Sequence, residues 1–115
     1  MTIESGTFAR ATTGSVTYLY NDPTFVPSMI TFYVSGKVSG DTENHFAVGY
    51  WHGGTDGTLQ ASAGRSSSTR LKTLSHYAGT VEKIAFTVTG VAPGEFTLNY
   101  TAADVNYNIH QVSMA

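Results

Sequence analysis

The sequence predicts an all-β fold, an antiparallel and jelly-roll-like sandwich of about eight to nine strands with no substantial helix. Short segments in which apolar and polar residues alternate recur along the chain, separated by Gly, Pro, Asn, Asp or Ser. No stretch repeats apolar residues with helical spacing over several turns. The chain is rich in Thr, Ser, Gly and Tyr, and its charged residues amount to 12%. That share is about half of the usual one, and the mixture favours strands and turns.

Nine segments carry the alternation, and we expect each of them to form a strand. In chain order they are Ile3–Arg10, Ser15–Tyr20, Ser28–Ser35, His45–His52, Thr58–Ala63, Thr69–Tyr77, Val81–Thr89, Glu95–Thr101 and Asn106–Met114. Pro23, Pro27 and Pro93 fall between these segments, where a missing amide donor does not weaken a strand ladder. The 115 residues have the length of one domain, which we expect to span residues 1–115.

Three segments define most of the predicted core, because successive side chains of a strand point to opposite faces. The inward rows are Ile30, Phe32 and Val34; Ile84, Phe86 and Val88; and Phe96, Leu98 and Tyr100. Polar residues fill most of the alternate positions, which indicates antiparallel sheets with one solvated face. In the last segment the apolar residues change parity between Ile109 and Val112, which predicts a β-bulge near His110 and Gln111.

The composition excludes several functions. The chain has no cysteine, so disulfides, thiol nucleophiles and thiolate metal sites are ruled out. Six basic and eight acidic residues give a net charge of -2 without a basic cluster, and we expect no nucleic-acid partner. No apolar run is long enough to span a membrane and no secretory signal pattern opens the chain, so we expect a soluble protein made in the cytosol.

Catalytic and metal-binding patterns are also missing from the sequence. The histidines at 45, 52, 76 and 110 are not spaced as metal pairs, and His45 and His52 lie on opposite faces of one predicted strand. No Gly-x-Ser-x-Gly elbow occurs, and the carboxylates are scattered over turns. We therefore expect no enzyme, no metal and no cofactor. One alternative is a calcium ion shared by Asp22, Asp56 and Asp104.

Trp51 is the side chain on which a predicted binding site depends. In the segment His45–His52, Phe46, Val48 and Tyr50 fit the core face, so Trp51 is expected to point outward. An exposed tryptophan beside polar turn residues is typical of contacts with sugars or protein partners. The alternative is that Trp51 covers an edge of the core or a subunit interface.

The order of the strands predicts which loops lie together. If consecutive strands are antiparallel, alternate loops emerge at the same end of the domain, and polar and aromatic loop residues there commonly bind ligands. One end would then combine the loop at 21–22, the turn at 53–57, His76 with Tyr77, and Asp104 with Asn106. The predicted site, for carbohydrate or a protein partner, comprises Trp51, His52, Asp56, Asn21, Asp22 and Tyr77.

Four passages, Phe25–Phe32, Gly49–Thr55, Gly94–Thr101 and Tyr107–Ala115, together resemble small β-sandwich modules of phage and prophage tail or fibre proteins. These modules are similar to the H-type lectins, which share a phenylalanine-x-proline entry into a central strand. The resemblance spans most of the chain. It implies an H-type-lectin-like antiparallel sandwich, assembly into trimers or hexamers, and binding of surface carbohydrate. It identifies no specific sugar-binding residue.

Three hypotheses follow for the function. The first is a homo-oligomeric, virion-associated binding module, with a trimer favoured, that recognises a cell-surface glycan or host surface. The second is a purely structural virion protein, such as a capsid decoration or head-fibre protein, in which Trp51 and the tyrosines form interfaces with copies or other virion proteins. The third and least favoured is a small enzyme such as a polysaccharide hydrolase. The first two place the protein in the virion.

Overall fold

A computed structural model describes residues 2–36, 45–52, 61–62, 73–78 and 81–115. These ranges form nine strands and contain no helix, and the predicted all-β antiparallel sandwich is confirmed. Each predicted strand has a counterpart among them, although β5 is described over two residues. The strands are β1 Ile3–Ala9, β2 Gly14–Leu19, β3 Met29–Gly36, β4 His45–His52, β5 Ala61–Ser62, β6 Thr73–Ala78, β7 Val81–Ala92, β8 Glu95–Ala102 and β9 Tyr107–Met114.

The strands form two antiparallel sheets. Sheet A has the order β1-β9-β3-β4-β5, and sheet B has the order β2-β8-β7-β6. Successive strands change sheet after β1, after β2, after β5 and after β8, so strands that are neighbours in sequence are often in different sheets. This arrangement leaves β1 and β2 as edge strands of sheet A and sheet B.

The three predicted inward rows lie between the sheets. All of their side chains are buried except Val88, which is partly buried and packs against the others. Phe32 of sheet A contacts two rings of sheet B, with centroids 5.1 Å from Phe86 and 6.2 Å from Phe96. Such edge-on contacts between aromatic rings add to the stabilisation from burial itself. The alternation of apolar residues therefore predicted the core of these three strands correctly.

Strand β9 does not contain the predicted bulge. It pairs with β1 and β3 on its two sides in an unbroken register from Tyr107 to Met114. Its inward row ends in two polar residues, Gln111 and Ser113, which are buried. The Ser113 hydroxyl contacts the Tyr20 hydroxyl at 2.7 Å and donates to Gln111 Oε1. Because these hydrogen bonds satisfy the polar groups inside the core, a regular strand is stable here and a bulge is unnecessary.

The strand pairings define two ends of the sandwich. The end called the Met114 end contains Met29, His52 and Met114 from sheet A together with Leu19 and Glu95 from sheet B. The opposite end, called the Tyr107 end, contains the following residues: Ala9, Gly14, Gly36, His45, Ala78, Val81, Ala102 and Tyr107. Strands β5 and β6 both run toward the Tyr107 end, since β5 is antiparallel to β4 and β6 is antiparallel to β7. The strict alternation of strand direction therefore stops between β5 and β6.

The hairpin turn between β7 and β8 of sheet B lies at the Met114 end, against the β2–β3 connection that crosses between the sheets. Gly94 has a positive φ of 79°, a conformation that glycine adopts without strain. Its carbonyl accepts a hydrogen bond from the Tyr20 amide at 2.8 Å, and its amide donates to the Phe25 carbonyl at 2.7 Å. The β2–β3 connection is thus held against the β7–β8 turn by backbone hydrogen bonds.

Candidate functional site

Trp51 does not point outward. It is partly buried and packs against the hydrophobic core. Strand β4 presents His45, Ala47 and Gly49 to the interior, and Phe46 is 47% exposed on the opposite face. The predicted orientation of β4 is therefore wrong, because the strand buries the alternate row of side chains.

The reason for the reversed orientation is packing across the two sheets. Ala47 and Gly49 are small, and both are buried where β4 faces sheet B. Trp51 on the same face is large and partly covers the core near the end of the strand. Apolar residues on both faces of β4 made the sequence pattern ambiguous, because apolar alternation identifies the inner face only when the outer face is polar.

Replacing Trp51 with alanine is expected to destabilise the protein by about 2 kcal/mol, because the indole packs against the core and is partly rather than fully buried. Urea unfolding measures this loss. Val105→Ala removes a side chain that is 62% exposed in the β8–β9 turn and is expected to change stability by less than about 0.5 kcal/mol. Equal stability of Trp51→Ala and Val105→Ala would show that Trp51 does not support the core.

The predicted ligand-binding residues are not brought to one place. Asn21 and Asp22 lie in the β2–β3 connection at the Met114 end, where Trp51 and His52 also lie. Tyr77 is on β6 near the Tyr107 end. Asp56 lies outside the described residues. The predicted grouping failed for Tyr77 because β5 and β6 run in the same direction, which changes the end at which every later loop emerges.

Asn21 and Asp22 take part in a local hydrogen-bond network. The Glu4 carboxylate on β1 accepts hydrogen bonds from the backbone amides of Asn21 at 2.6 Å and Asp22 at 2.9 Å. The Asp22 carboxylate accepts from the amide and the hydroxyl of Thr24, and these bonds lower the pKa of Asp22. The carboxylates therefore stabilise the turn and link β1 of sheet A to the end of β2 in sheet B.

A calcium ion shared by Asp22 and Asp104 does not fit this arrangement. Asp22 lies at the Met114 end, whereas Asp104 lies at the Tyr107 end, where it accepts from the Asn106 amide at 2.9 Å and has Lys83 at 3.9 Å. Within the described ranges no group of three or more His, Cys, Asp or Glu side chains is placed to hold a metal ion. No helix in the same part of the chain is long and apolar enough to cross a membrane.

Two histidines meet in the interior at the Tyr107 end. His45 Nδ1 lies 3.1 Å from His76 Nε2 and 3.2 Å from the Tyr107 hydroxyl, and all three side chains are buried. Burial lowers the pKa of His76 to about 4, and the neighbouring His45 shifts it in the same direction. The sequence predicted no metal pair among the histidines and did not predict that His45 and His76 would meet in one buried contact. His76 is neutral at pH 7. The contact between the two histidines is a polar contact between β4 and β6.

The outer face of sheet A has the composition of an interaction surface. On β1, β9, β3 and β4 none of the side chains that point away from the core is Asp, Glu, Lys or Arg. Tyr33 and Phe46 are 45% and 47% exposed there. They are diagonal neighbours, since Tyr33 pairs with Val48 and Phe46 pairs with Ser35. The outward residues are Ile3, Ser5, Thr7, Ala9, Met29, Thr31, Tyr33, Ser35, Phe46, Val48, Tyr50, His52, Asn108, His110, Val112 and Met114.

The outer face of sheet B is different. Thr17 and Thr97 join their hydroxyls at 2.9 Å, and Ser15 donates to Asn99 at 3.3 Å. These hydrogen-bonded pairs of small polar residues are typical of a solvated sheet face. The chain therefore has one polar face, on sheet B, and one face on sheet A that mixes aromatic, aliphatic and methionine side chains with Ser, Thr, Asn and His and carries no Asp, Glu, Lys or Arg on β1, β9, β3 and β4.

Comparison with protein-family models gives no match to this chain, and comparison with curated proteins gives none either.

Proposed function

We propose that the chain is a non-catalytic assembly module that works as a homo-oligomer and that its copies meet through the outer face of sheet A. The observation that carries this proposal is the composition of that face, which holds half-exposed Tyr33 and Phe46 and no Asp, Glu, Lys or Arg on β1, β9, β3 and β4. Aromatic and methionine enrichment with few charges is typical of the buried centre of a protein interface.

The placement of the predicted binding residues favours an assembly role over recognition of a glycan by one loop end. Trp51 packs against the core, and Tyr77 lies near the opposite end from Asn21 and Asp22. The aromatic residues that are exposed, Tyr33 and Phe46, lie on a sheet face instead. This distribution supports the structural hypothesis, in which tyrosines form contacts between subunits.

The resemblance to phage tail and fibre modules supports a virion-associated role, with a trimer favoured and other virion proteins as further partners. Several copies side by side would also strengthen any weak contact with a host surface. In this proposal the domain supplies a rigid sandwich, and sheet A supplies the contact between copies.

Replacing Phe46 with lysine tests the proposal. A charge at the centre of an apolar contact loses its hydration on association, so we expect the solution mass to fall, with at least about a tenfold weaker association. Light scattering over a dilution series measures the mass against the 12.3 kDa of one chain.

Thr101→Lys is the matched control, because Thr101 is exposed on the outer side of sheet B. It is expected to keep the mass of the unchanged protein. If Phe46→Lys also keeps that mass while folded, the outer face of sheet A is not the contact between copies. Near-unchanged circular dichroism of both variants verifies the fold.

A further inference from the structure

The edge of sheet B at β2 is an exposed strand without the usual protection against pairing. Among the described strands β2 pairs with β8 alone, so the side away from β8 presents backbone amides and carbonyls. Its register from Gly14 to Leu19 is unbroken, and it contains no proline and no charged residue. Leu19 is 78% exposed at its end. Natural edge strands are generally protected by charges, prolines or bulges.

Two other edge strands, β1 of sheet A and β6 of sheet B, carry such protection. On β1 the charged residue Glu4 is on the inward face of the strand, the same face as Phe8. On β6 the register shifts between His76 and Tyr77. Inward charges and bulges both disfavour the addition of another strand. The contrast identifies β2 as the edge best suited to accept one.

A groove runs beside this edge, between β1 of sheet A and β2 of sheet B. Its volume is about 200 Å³. Phe8 and Tyr18 stack in its wall with ring centroids 4.0 Å apart, and Phe96 lies behind them at 5.3 Å from Tyr18. Gln111, which is 5% exposed, also lines the groove. A strand added to β2 would therefore place its inward side chains against a wall that combines aromatic rings with polar side chains such as Glu4 and Gln111.

Charges of opposite sign flank the two ends of β2. Arg10 lies near its start, with a guanidinium nitrogen 4.0 Å from the position of a Cβ on Gly14. Glu4 and Asp22 lie at its other end, where the Asp22 amide donates a hydrogen bond to the Glu4 carboxylate. If two copies of β2 pair antiparallel, Arg10 of each copy approaches Glu4 and Asp22 of the other. Parallel pairing would instead bring like charges together.

We propose that β2 is a self-association edge, where two copies of this chain pair their β2 strands antiparallel about a two-fold axis and join their B sheets into one. Antiparallel pairing of a strand with its own copy is isologous, so each copy supplies the same residues. The flanking charges select a second copy as the occupant, because the edge is complementary to itself. The contact is separate from the one proposed for sheet A and brings together two chains or two larger assemblies.

We assign the register in which Thr17, one of the two central residues of the six-residue strand β2, lies on the two-fold axis. Residues directly opposite in an antiparallel pair point to the same face. With Thr17 on the two-fold axis, Thr17 faces its own copy on the polar side, and Val16 of each copy packs opposite Tyr18 of the other on the groove side. The hydrogen-bonded pair of Thr17 and Thr97 would then continue across the axis.

A pair of charge variants at Thr17 tests both the contact and its register. The experiment uses the Phe46→Lys protein, in which the sheet A contact is blocked. The β2 contact alone is then expected to give a solution mass of twice 12.3 kDa. Thr17→Lys and Thr17→Glu each place like charges opposite one another, and each is expected to halve that mass. Mixing the two variants places opposite charges across the axis and is expected to restore the doubled mass, measured by light scattering.

Thr89→Lys in the same background is the matched control, since Thr89 is exposed on the interior strand β7 of sheet B. It is expected to keep the doubled mass. A Phe46→Lys protein that is already a single chain overturns the β2 proposal while the sheet A proposal stands. A doubled mass that persists in both Thr17 variants also overturns it. A fall in mass caused by Thr17→Lys alone, without restoration on mixing, contradicts the two-fold register.

Discussion

Replacing Gly94 with alanine is expected to cost at least about 3 kcal/mol of folding free energy. The residue has a positive φ of 79°, so any side chain adds backbone strain. A Cβ there would lie 2.6 Å from the Pro23 carbonyl oxygen and 2.8 Å from Pro23 Cα. Both contacts are with backbone, so relief requires the turn to move and weakens the hydrogen bonds that Gly94 makes with Tyr20 and Phe25. Urea or thermal unfolding measures the loss.

Variants of two other glycines distinguish the effect of backbone strain from the effect of steric overlap with neighbouring atoms. Gly14→Ala shares the positive φ, at 115°, but its Cβ would meet the flexible Arg10 side chain at 4.0 Å, and we expect a loss of about 1 to 2 kcal/mol. Gly90→Ala has neither problem, with the nearest Thr97 atom at 3.7 Å, and is expected to change stability by less than about 0.5 kcal/mol. Equal stabilities for Gly94→Ala and Gly90→Ala would contradict the close packing of the Gly94 turn against Pro23.

Acidification from pH 7 to pH 5 is expected to remove about 2 kcal/mol of stability through His76. Burial holds the pKa of this imidazole at about 4 in the folded protein, below its ordinary value of 6.5. Between these values the unfolded chain binds a proton that the folded protein does not. The stability is therefore fully present above pH 6.5 and is lost progressively as the pH falls toward 4.

The comparison with His76→Gln isolates this effect from the titration of other groups. The glutamine variant is expected to be less stable at pH 7 and to lose about 2 kcal/mol less than the unchanged protein between pH 7 and pH 5. His110→Asn is the control, because His110 is exposed on the outer face of sheet A, with Nδ1 2.8 Å from the Thr7 hydroxyl. It is expected to keep the full pH dependence. A His76→Gln protein with the same pH dependence as the unchanged chain would contradict the burial of a neutral His76.

The core of three strands was predictable from the sequence because their two faces differ in chemistry. Phe96, Leu98 and Tyr100 alternate with Glu95, Thr97 and Asn99, so one orientation buries every apolar side chain. The same rule failed on β4. There Phe46, Val48 and Tyr50 form one apolar row and Ala47 and Trp51 another, and contacts with the opposite sheet decide which row is buried.

The alternation of apolar and polar residues could not predict the polar side chains that lie inside the sandwich. Gln111 and Ser113 are buried because they form hydrogen bonds with each other and with Tyr20, a residue 93 positions away from Ser113 in the chain. His45 and His76 likewise meet across a separation of 31 residues. A pattern confined to one strand does not contain these partners, so it predicted a bulge near Gln111 and did not predict the contact between His45 and His76.

The surface proposed as the contact between copies differs from the site that the sequence predicted, for a related reason. The predicted site combined loop residues with Trp51, whereas Tyr33 and Phe46 are exposed on the outer face of sheet A. Two signals were present in the sequence. Tyr33 has the opposite parity to the core row Ile30, Phe32 and Val34, and β3, β4 and β9 contain no Asp, Glu, Lys or Arg. Aromatic enrichment with few charges is the composition on which the proposed contact between copies is based.

Hydroxyl-radical footprinting of the unchanged protein at low and high concentration tests the proposed contact most directly, because it reports side-chain exposure without any substitution. We expect Tyr33 and Phe46 to become several-fold less reactive as the concentration rises, while Val105, which is 62% exposed in the β8–β9 turn, stays equally reactive. Equal reactivity of Tyr33 and Phe46 at both concentrations, in samples whose mass rises above 12.3 kDa, would contradict assembly through the outer face of sheet A.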